Sequence, residues 1–262
     1  MQYHIDTIPV WDAVKLNGEC PLCALKRRIE LMDIQRFLGA SVMEPDVRIR
    51  VNAKGFCGHH LHQLFAEKNR LGLALMLHTH MKETEKAVET ILLREKEAGK
   101  QPGGSPFKRM FKGNGASATP LQEAAKALED TASACVICDS IKEHMNRYAY
   151  TMLYLWERDK DFRKALTQSK GVCIPHGAQL FSMAEESLPA RELEAFTQTL
   201  SELITASLKR IEQEVEWFTL KFDYRNQDKP WGTSRDAVER ACNKLRGWCA
   251  GEEPWPETPP RK

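Results

Sequence analysis

An all-α fold made by tandem duplication of a helical unit is what these 262 residues predict, and three observations lead there. The stretch Lys54 to Phe65, KGFCGHHLHQLF, is identical at seven of twelve positions to Lys170 to Phe181, KGVCIPHGAQLF. A Cys-x-x-Cys lies upstream of each, CPLC at Cys20 and Cys23 and CVIC at Cys135 and Cys138, with 33 residues between Cys23 and Cys57 and 34 between Cys138 and Cys173. Apolar residues elsewhere recur at steps of three and four, the period of a helix with one face on a core.

Along the chain, Leu25, Ile29 and Met32 form one apolar face after the first CxxC. Each CxxH opens a helix, and the first is followed by a long one over about Leu73 to Ala98. Gly99 to Thr119 carries five Gly, two Pro and no acidic residue, which reads as a flexible basic linker over 99–118. Thr119, Pro120 and Gln122 supply an N-cap, an N1 proline and a capping-box partner, so the second half starts a helix there. Ile141, Met145, Tyr148, Met152 and Leu155 make the next stripe, offset by one residue from the first half. A helix of about 30 residues, roughly 45 Å long, is expected over Ala190 to Phe222, because Leu193, Phe196, Leu200, Leu203, Ile204, Leu208, Ile211, Val215 and Phe218 share a face. FDYRNQDKPWG then turns the chain into a short helix from Thr233 or Ser234 to Trp248, and GEEPWPETPPRK is a Pro-rich, extended end. The expected divisions are 1–98 and 119–225 for two repeats, with 226–262 as a C-terminal turn, helix and tail.

A CxxC places two sulfurs on one tight turn, and a second turn supplying Cys and His completes a tetrahedral set. Spacing within each half predicts one site of Cys20, Cys23, Cys57 and His60 and another of Cys135, Cys138, Cys173 and His176. The repeat selects His60 over its neighbours, since His59 aligns with Pro175 and His62 with Ala178. Gly55 and Gly171, two residues before the third cysteine, mark a backbone conformation that side chains disfavour. Pro21 suits a helix start, and cysteines in a first turn feel its positive end, which favours thiolate. Three thiolates, one neutral imidazole and Zn²⁺ sum to −1 in a closed set of four, so two structural zinc ions are expected. The same soft ligands also serve an iron–sulfur cluster. A dithiol redox enzyme would need no CxxH and would carry its CxxC in a βαβ context, which is missing here.

Other features carry less chemistry. His78 and His80 lie two apart on different helix faces, as core or surface residues. Asp159 with Asp161, and Glu44 with Asp46, read as solvated helix caps rather than acid–base pairs. Cys242 and Cys249 are read as core packing on the last helix. In SPFKRMFK, Phe107, Met110 and Phe111 oppose Lys108, Arg109 and Lys112, a short amphipathic turn read as docking on the protein's own core. There is no Gly-rich phosphate loop and no GxSxG, and no catalytic residue is assigned. The balance of 38 Lys plus Arg against 36 Asp plus Glu leaves +2, so nucleic-acid binding through Lys26, Arg27, Arg28 and the linker is disfavoured, and a protein partner is left open. The first residues, MQYHIDTIPVWDAVKL, lack a basic start and apolar stretch, and the longest apolar run, Leu71 to Leu77, is far short of the ~20 residues that span a bilayer. A cytoplasmic chain with reduced thiols is the expectation.

CPLC at Cys20 to Cys23, EPDVRIRVNAKGFC with His60, NRLGLAL at Asn69 to Leu75, the second CxxC, KGVCIPH at Lys170 to His176, and WFTLKFDYRNQDKPWG at Trp217 to Gly232 together resemble an uncharacterised bacterial family of the domain-of-unknown-function kind. The resemblance covers about residues 5 to 247. It implies that the Cys and His positions and the FDYRN...PWG segment belong to the family pattern, and it carries no activity. The second site's CxPH matches that pattern, whereas Gly58 and His59 replace its middle residues in the first. The function expected is that of a binding or regulatory protein with structural zinc rather than an enzyme, the alternative being an iron–sulfur or thiol-based oxidoreductase or metal-handling protein.

Overall fold

The structure, a computed structural model, describes residues 4–100 and 119–255. The amphipathic turn at 105–112 and the chain beyond 255 lie outside the described residues. Among those described, the protein is all-helical, with eleven α-helices and no strand. No described helix is long and apolar enough to cross a membrane. Two compact units are present, and they are not the two sequence halves: one comprises Met1–Leu31 with Ile141–Lys262, the other Met32–Ser140. The unit boundaries fall inside two helices, α2 (Pro21–Leu38) and α7 (Val136–Arg158).

In the first unit, α1 (His4–Lys15) packs on α8 (Lys160–Thr167), where Trp11 meets Phe162 edge-on at 5.2 Å. Asp159 caps α8 by accepting from the N–H groups of Asp161 and Phe162, as expected of an Asp at a helix start. The stripe Ile141, Met145, Tyr148, Met152 and Leu155 is buried throughout. Trp156 of the same helix meets Phe196 of the 31-residue α10 (Ala190–Leu220) at 5.3 Å, α10 packs on α9 (Ile174–Ser187), and Phe196, Leu200 and Ile211 of α10 are buried. Arg27 donates to Glu30 and to both carboxylate oxygens of Glu253, and Arg28 lies 4.5 Å over Trp255, so two of the three basic residues suggested for nucleic acid have partners within the chain.

The FDYRN...PWG segment folds around a buried lysine. Lys221 Nζ donates to the carbonyls of Asn226, Gln227 and Lys229 at 2.6–2.7 Å, while Trp217 Nε1 donates to Pro230 O. Three carbonyls satisfy all three ammonium protons, which is what allows a lysine to sit inside. The turn delivers α11 (Ala237–Arg246) onto α10 and α9. This last helix is shorter than expected, because Gly247 at φ +84° ends it before Trp248. Its inward face carries Ala237 and Lys244. Cys242 is one residue off that face and Cys249 lies past the helix, so both are exposed rather than packed in the core.

In the second unit, α3 (Pro45–Lys54) and α6 (Pro120–Ser133) pack on α5 (Arg70–Lys100), with α4 (Gly58–Ala66) beside them. Thr119 and Gln122 form the expected capping box at α6, with Pro120 as its first residue. Phe37, Val47, Val51, Phe56, Leu64, Leu73 and Met76 are its core, and Phe37 meets Phe56 at 5.5 Å. Met32 is exposed, against expectation. The buried face of α2 advances instead through Asp33, paired with Arg36 at 2.8 Å, to Ile34 and Phe37.

Candidate metal centres

All four Cys/His motifs start helices. Pro21 and Val136 open α2 and α7 behind Cys20 and Cys135, while Cys57 and Cys173 are the N-caps of α4 and α9. One turn into each of the latter helices, a buried histidine, His60 or His176, faces back toward the cap sulfur. The turns before the cap residues use Gly55 at φ +62° and Gly171 at φ +76°, in the left-handed region that side chains avoid.

The motifs combine differently from the expectation drawn from spacing. One quartet is Cys20, Cys23, Cys173 and His176; the other is Cys57, His60, Cys135 and Cys138. Each CxxC thus meets the CxxH of the other sequence half, and each quartet lies within one compact unit. The two connecting spans are nearly equal in length and both CxxH turns have the same form, so spacing alone could not choose between partners. His59 and His62 are exposed and outside the quartets, as are His78 and the half-buried His80, whose Nδ1 lies 3.0 Å from Asn52 O.

Local bonds join each pair. In the second unit, the Val136 N–H donates to Gly55 O at 3.1 Å, joining the second CxxC to the first CxxH turn. The matching residue in the first unit is Pro21, which has no N–H to give. There the fully buried Lys244 does the joining: its Nζ donates to Glu19 O at 2.6 Å and to Lys170 O at 2.9 Å, and lies 3.2 Å from the Glu19 carboxylate. Burial pushes the Lys244 ammonium down from its ordinary value, and Glu19 opposes this. Burial likewise works against the Glu19 carboxylate, but Arg210 and Lys244 outweigh it and hold the group below its usual value.

The geometry of each quartet fits one tetrahedral ion. A zinc ion with three sulfurs and one nitrogen has S···S edges of about 3.8 Å and S···N edges of about 3.6 Å. In the first unit, His176 Nδ1 lies 3.4, 3.5 and 3.2 Å from the sulfurs of Cys20, Cys23 and Cys173, and Cys23 to Cys173 is 3.6 Å. In the second, His60 Nδ1 lies 3.2, 3.3 and 3.4 Å from Cys57, Cys135 and Cys138, and Cys57 to Cys138 is 3.7 Å. Every cysteine is a free thiol. Surroundings differ: all four residues of the first quartet are buried, and Cys23 Sγ accepts the Trp248 N–H at 3.3 Å. In the second, Cys138 is exposed and Cys57 half-buried.

Protons on these groups compete with a metal ion. Burial opposes the Cys20 thiolate, yet the Cys173 and Cys23 thiols and the His176 charge bring it well below an ordinary thiol. Hydrogen bonding with Cys173 and Cys20, with burial, holds the Cys23 thiol far above it. For His176, burial is outweighed by the Cys20 charge and the Cys173 hydrogen bond, which push it up to about 10. In the second quartet, burial is outweighed by His60 and backbone N–H groups at Cys135, which falls to about 6, while burial and the Cys135 charge push Cys138 up to about 12. At pH 7, His176 and Cys23 therefore hold protons that an entering ion must displace. Zinc uptake by the first quartet should release at least two protons and tighten, as pH rises, by roughly a hundredfold or more per pH unit near neutrality. Titration calorimetry in buffers of different ionisation enthalpy measures this, and uptake without proton release would contradict it.

Gly55 offers a second local test. A Cβ there would stand 2.1 Å from His80 Nε2, in a backbone conformation already unfavourable for alanine. Gly55→Ala should cost about 2–4 kcal/mol, combining left-handed strain with displacement of His80 from Asn52. Thermal melting with metal content checks it; an unchanged melt would show that the turn tolerates a side chain.

No curated protein and no solved structure matches the chain. The description "Family of unknown function (DUF6062)" matches residues 1–252, which include both quartets and the Lys221 turn, and the chain belongs to that family.

Proposed function

We propose that the protein is a binding or regulatory protein whose helical units are each fastened by one structural zinc ion. The observation that carries this reading is the pair of Cys₃His quartets whose edges match those of a single tetrahedral ion. Four protein ligands close the coordination sphere and leave no position for a substrate. In each quartet the ligand atoms all lie within 4.8 Å of one another, which suits one ion better than a cluster whose ligands sit on different irons.

The matched helix starts, positive-φ glycines and Nδ1-facing histidines support descent of the two halves by duplication, with CxxC and CxxH exchanged between them. Zinc then links chain segments far apart in sequence, supplying order that small helical units lack in their cores. Elemental analysis and a visible spectrum of protein purified without oxygen or chelator test this reading. About two zinc per chain and no colour is the expected result. Iron with sulfide and a broad absorption near ~400 nm would replace it with a cluster protein.

A further inference from the structure

We propose that the Cys57–Cys138 edge of the second quartet is a site of oxidation by hydroperoxides, which converts the pair to a disulfide and releases that quartet's metal while the first quartet keeps its own. This rests on the metal reading above and adds a division of labour between the sites. Cys138 is exposed, Cys57 is half-buried, and their sulfurs are 3.7 Å apart, so an oxidant from solvent meets one sulfur with a second within reach. The third thiol, Cys135, is buried and accepts the Cys138 N–H at 3.4 Å, which draws electron density from it rather than from the exposed sulfur. In the first quartet all three cysteines are buried. Cys20 and Cys23 border a pocket of about 570 Å³, but they are only 6 % and 5 % exposed, and Cys23 is further masked by the Trp248 N–H.

The chemistry balances with the hydroperoxide as the only oxidant. With the metal bound, Cys138 carries no proton, and its thiolate attacks the O–O bond, giving Cys138–SOH and an alkoxide or hydroxide that takes up one proton. The Cys57 thiolate then attacks that sulfur, forming the S–S bond and expelling hydroxide, which a second proton converts to water. Two electrons pass from the two sulfurs to the peroxide. Cys135 and His60 are too few ligands to retain the dication, which leaves.

The test uses the full chain carrying Cys242→Ser and Cys249→Ser, which removes the two exposed thiols outside the quartets. Zinc-loaded protein receives one equivalent of hydrogen peroxide under nitrogen, released zinc is followed with a chromogenic chelator, and disulfides are mapped by mass spectrometry. One zinc per chain should leave, on the order of tenfold faster than the second, with Cys57 joined to Cys138 and with Cys20, Cys23 and Cys173 still reduced. Parallel loss of both ions, oxidation beginning at Cys20 or Cys23, a disulfide confined to Cys135 and Cys138, or no release would each overturn the inference while leaving the metal reading in place. A protein that binds no metal at the outset overturns the metal reading and this inference with it.

Discussion

Replacing Cys57 with serine is expected to free the second CxxC and leave the first one protected. Cys57 stands 3.7 Å from Cys138 and shares His60 with Cys135 and Cys138, whereas Cys20 and Cys23 belong with Cys173 and His176. On the proposed reading the variant holds one zinc in place of two. Iodoacetamide should then label Cys135 and Cys138 quickly in the native state, while Cys20, Cys23 and Cys173 label only after unfolding. The loss of stability should be a large part of the ~10–16 kcal/mol that a structural zinc contributes, falling on residues 32–140. Native-state labelling read by mass spectrometry decides the matter. Rapid labelling of Cys20 and Cys23 instead would restore the pairing within each half and refute the exchange.

That exchange marks the point where sequence reasoning stopped. Eight ligand-type residues, the choice of His60 over His59 and His62, the capping box at Thr119 and the buried stripe from Ile141 to Leu155 follow from repetition and from helical period, because both are local properties of the chain. Partnership between motifs is not local. Two CxxC turns facing two CxxH turns of the same form can pair in either way with the same bonds, and the choice depends on what surrounds each pair. Val136 against Pro21 is the one signal that bears on it within the motifs: a donor is present in one CxxC and absent from the other, so the two sites need different support. The buried lysines were illegible for a related reason. A lysine on a charged helix reads as a solvated residue, and only the carbonyls converging on Lys221 from the turn that follows it, and on Lys244 from distant segments, show otherwise.

Lys244 is where this support can be removed without touching a ligand. Lys244→Met keeps the length and the apolar stem but deletes the donor to Glu19 O and Lys170 O and the ammonium 3.2 Å from the Glu19 carboxylate. The carbonyls of Glu19 and Lys170 then lack that donor, and Glu19 keeps its arginine partners, Arg210 at 2.7 Å and Arg240 at 3.6 Å. Breaking a buried, hydrogen-bonded ion pair from one side costs about 3–5 kcal/mol. Lys244→Arg should fail to rescue it, since a planar fork of greater bulk does not fit a space sealed from solvent. Glu19 directly precedes Cys20, and Lys170 opens the turn that leads to Cys173, so the damage should reach the first quartet as easier chelator extraction of one ion. The second quartet, joined by Val136 and Gly55, should hold its ion as tightly as before. Chelator-extraction kinetics with a thermal melt make the comparison. Unchanged extraction of both ions would show that the CxxC and CxxH turns of the first unit hold together without the lysine, whereas equal weakening of both would assign Lys244 to general stability rather than to one metal site.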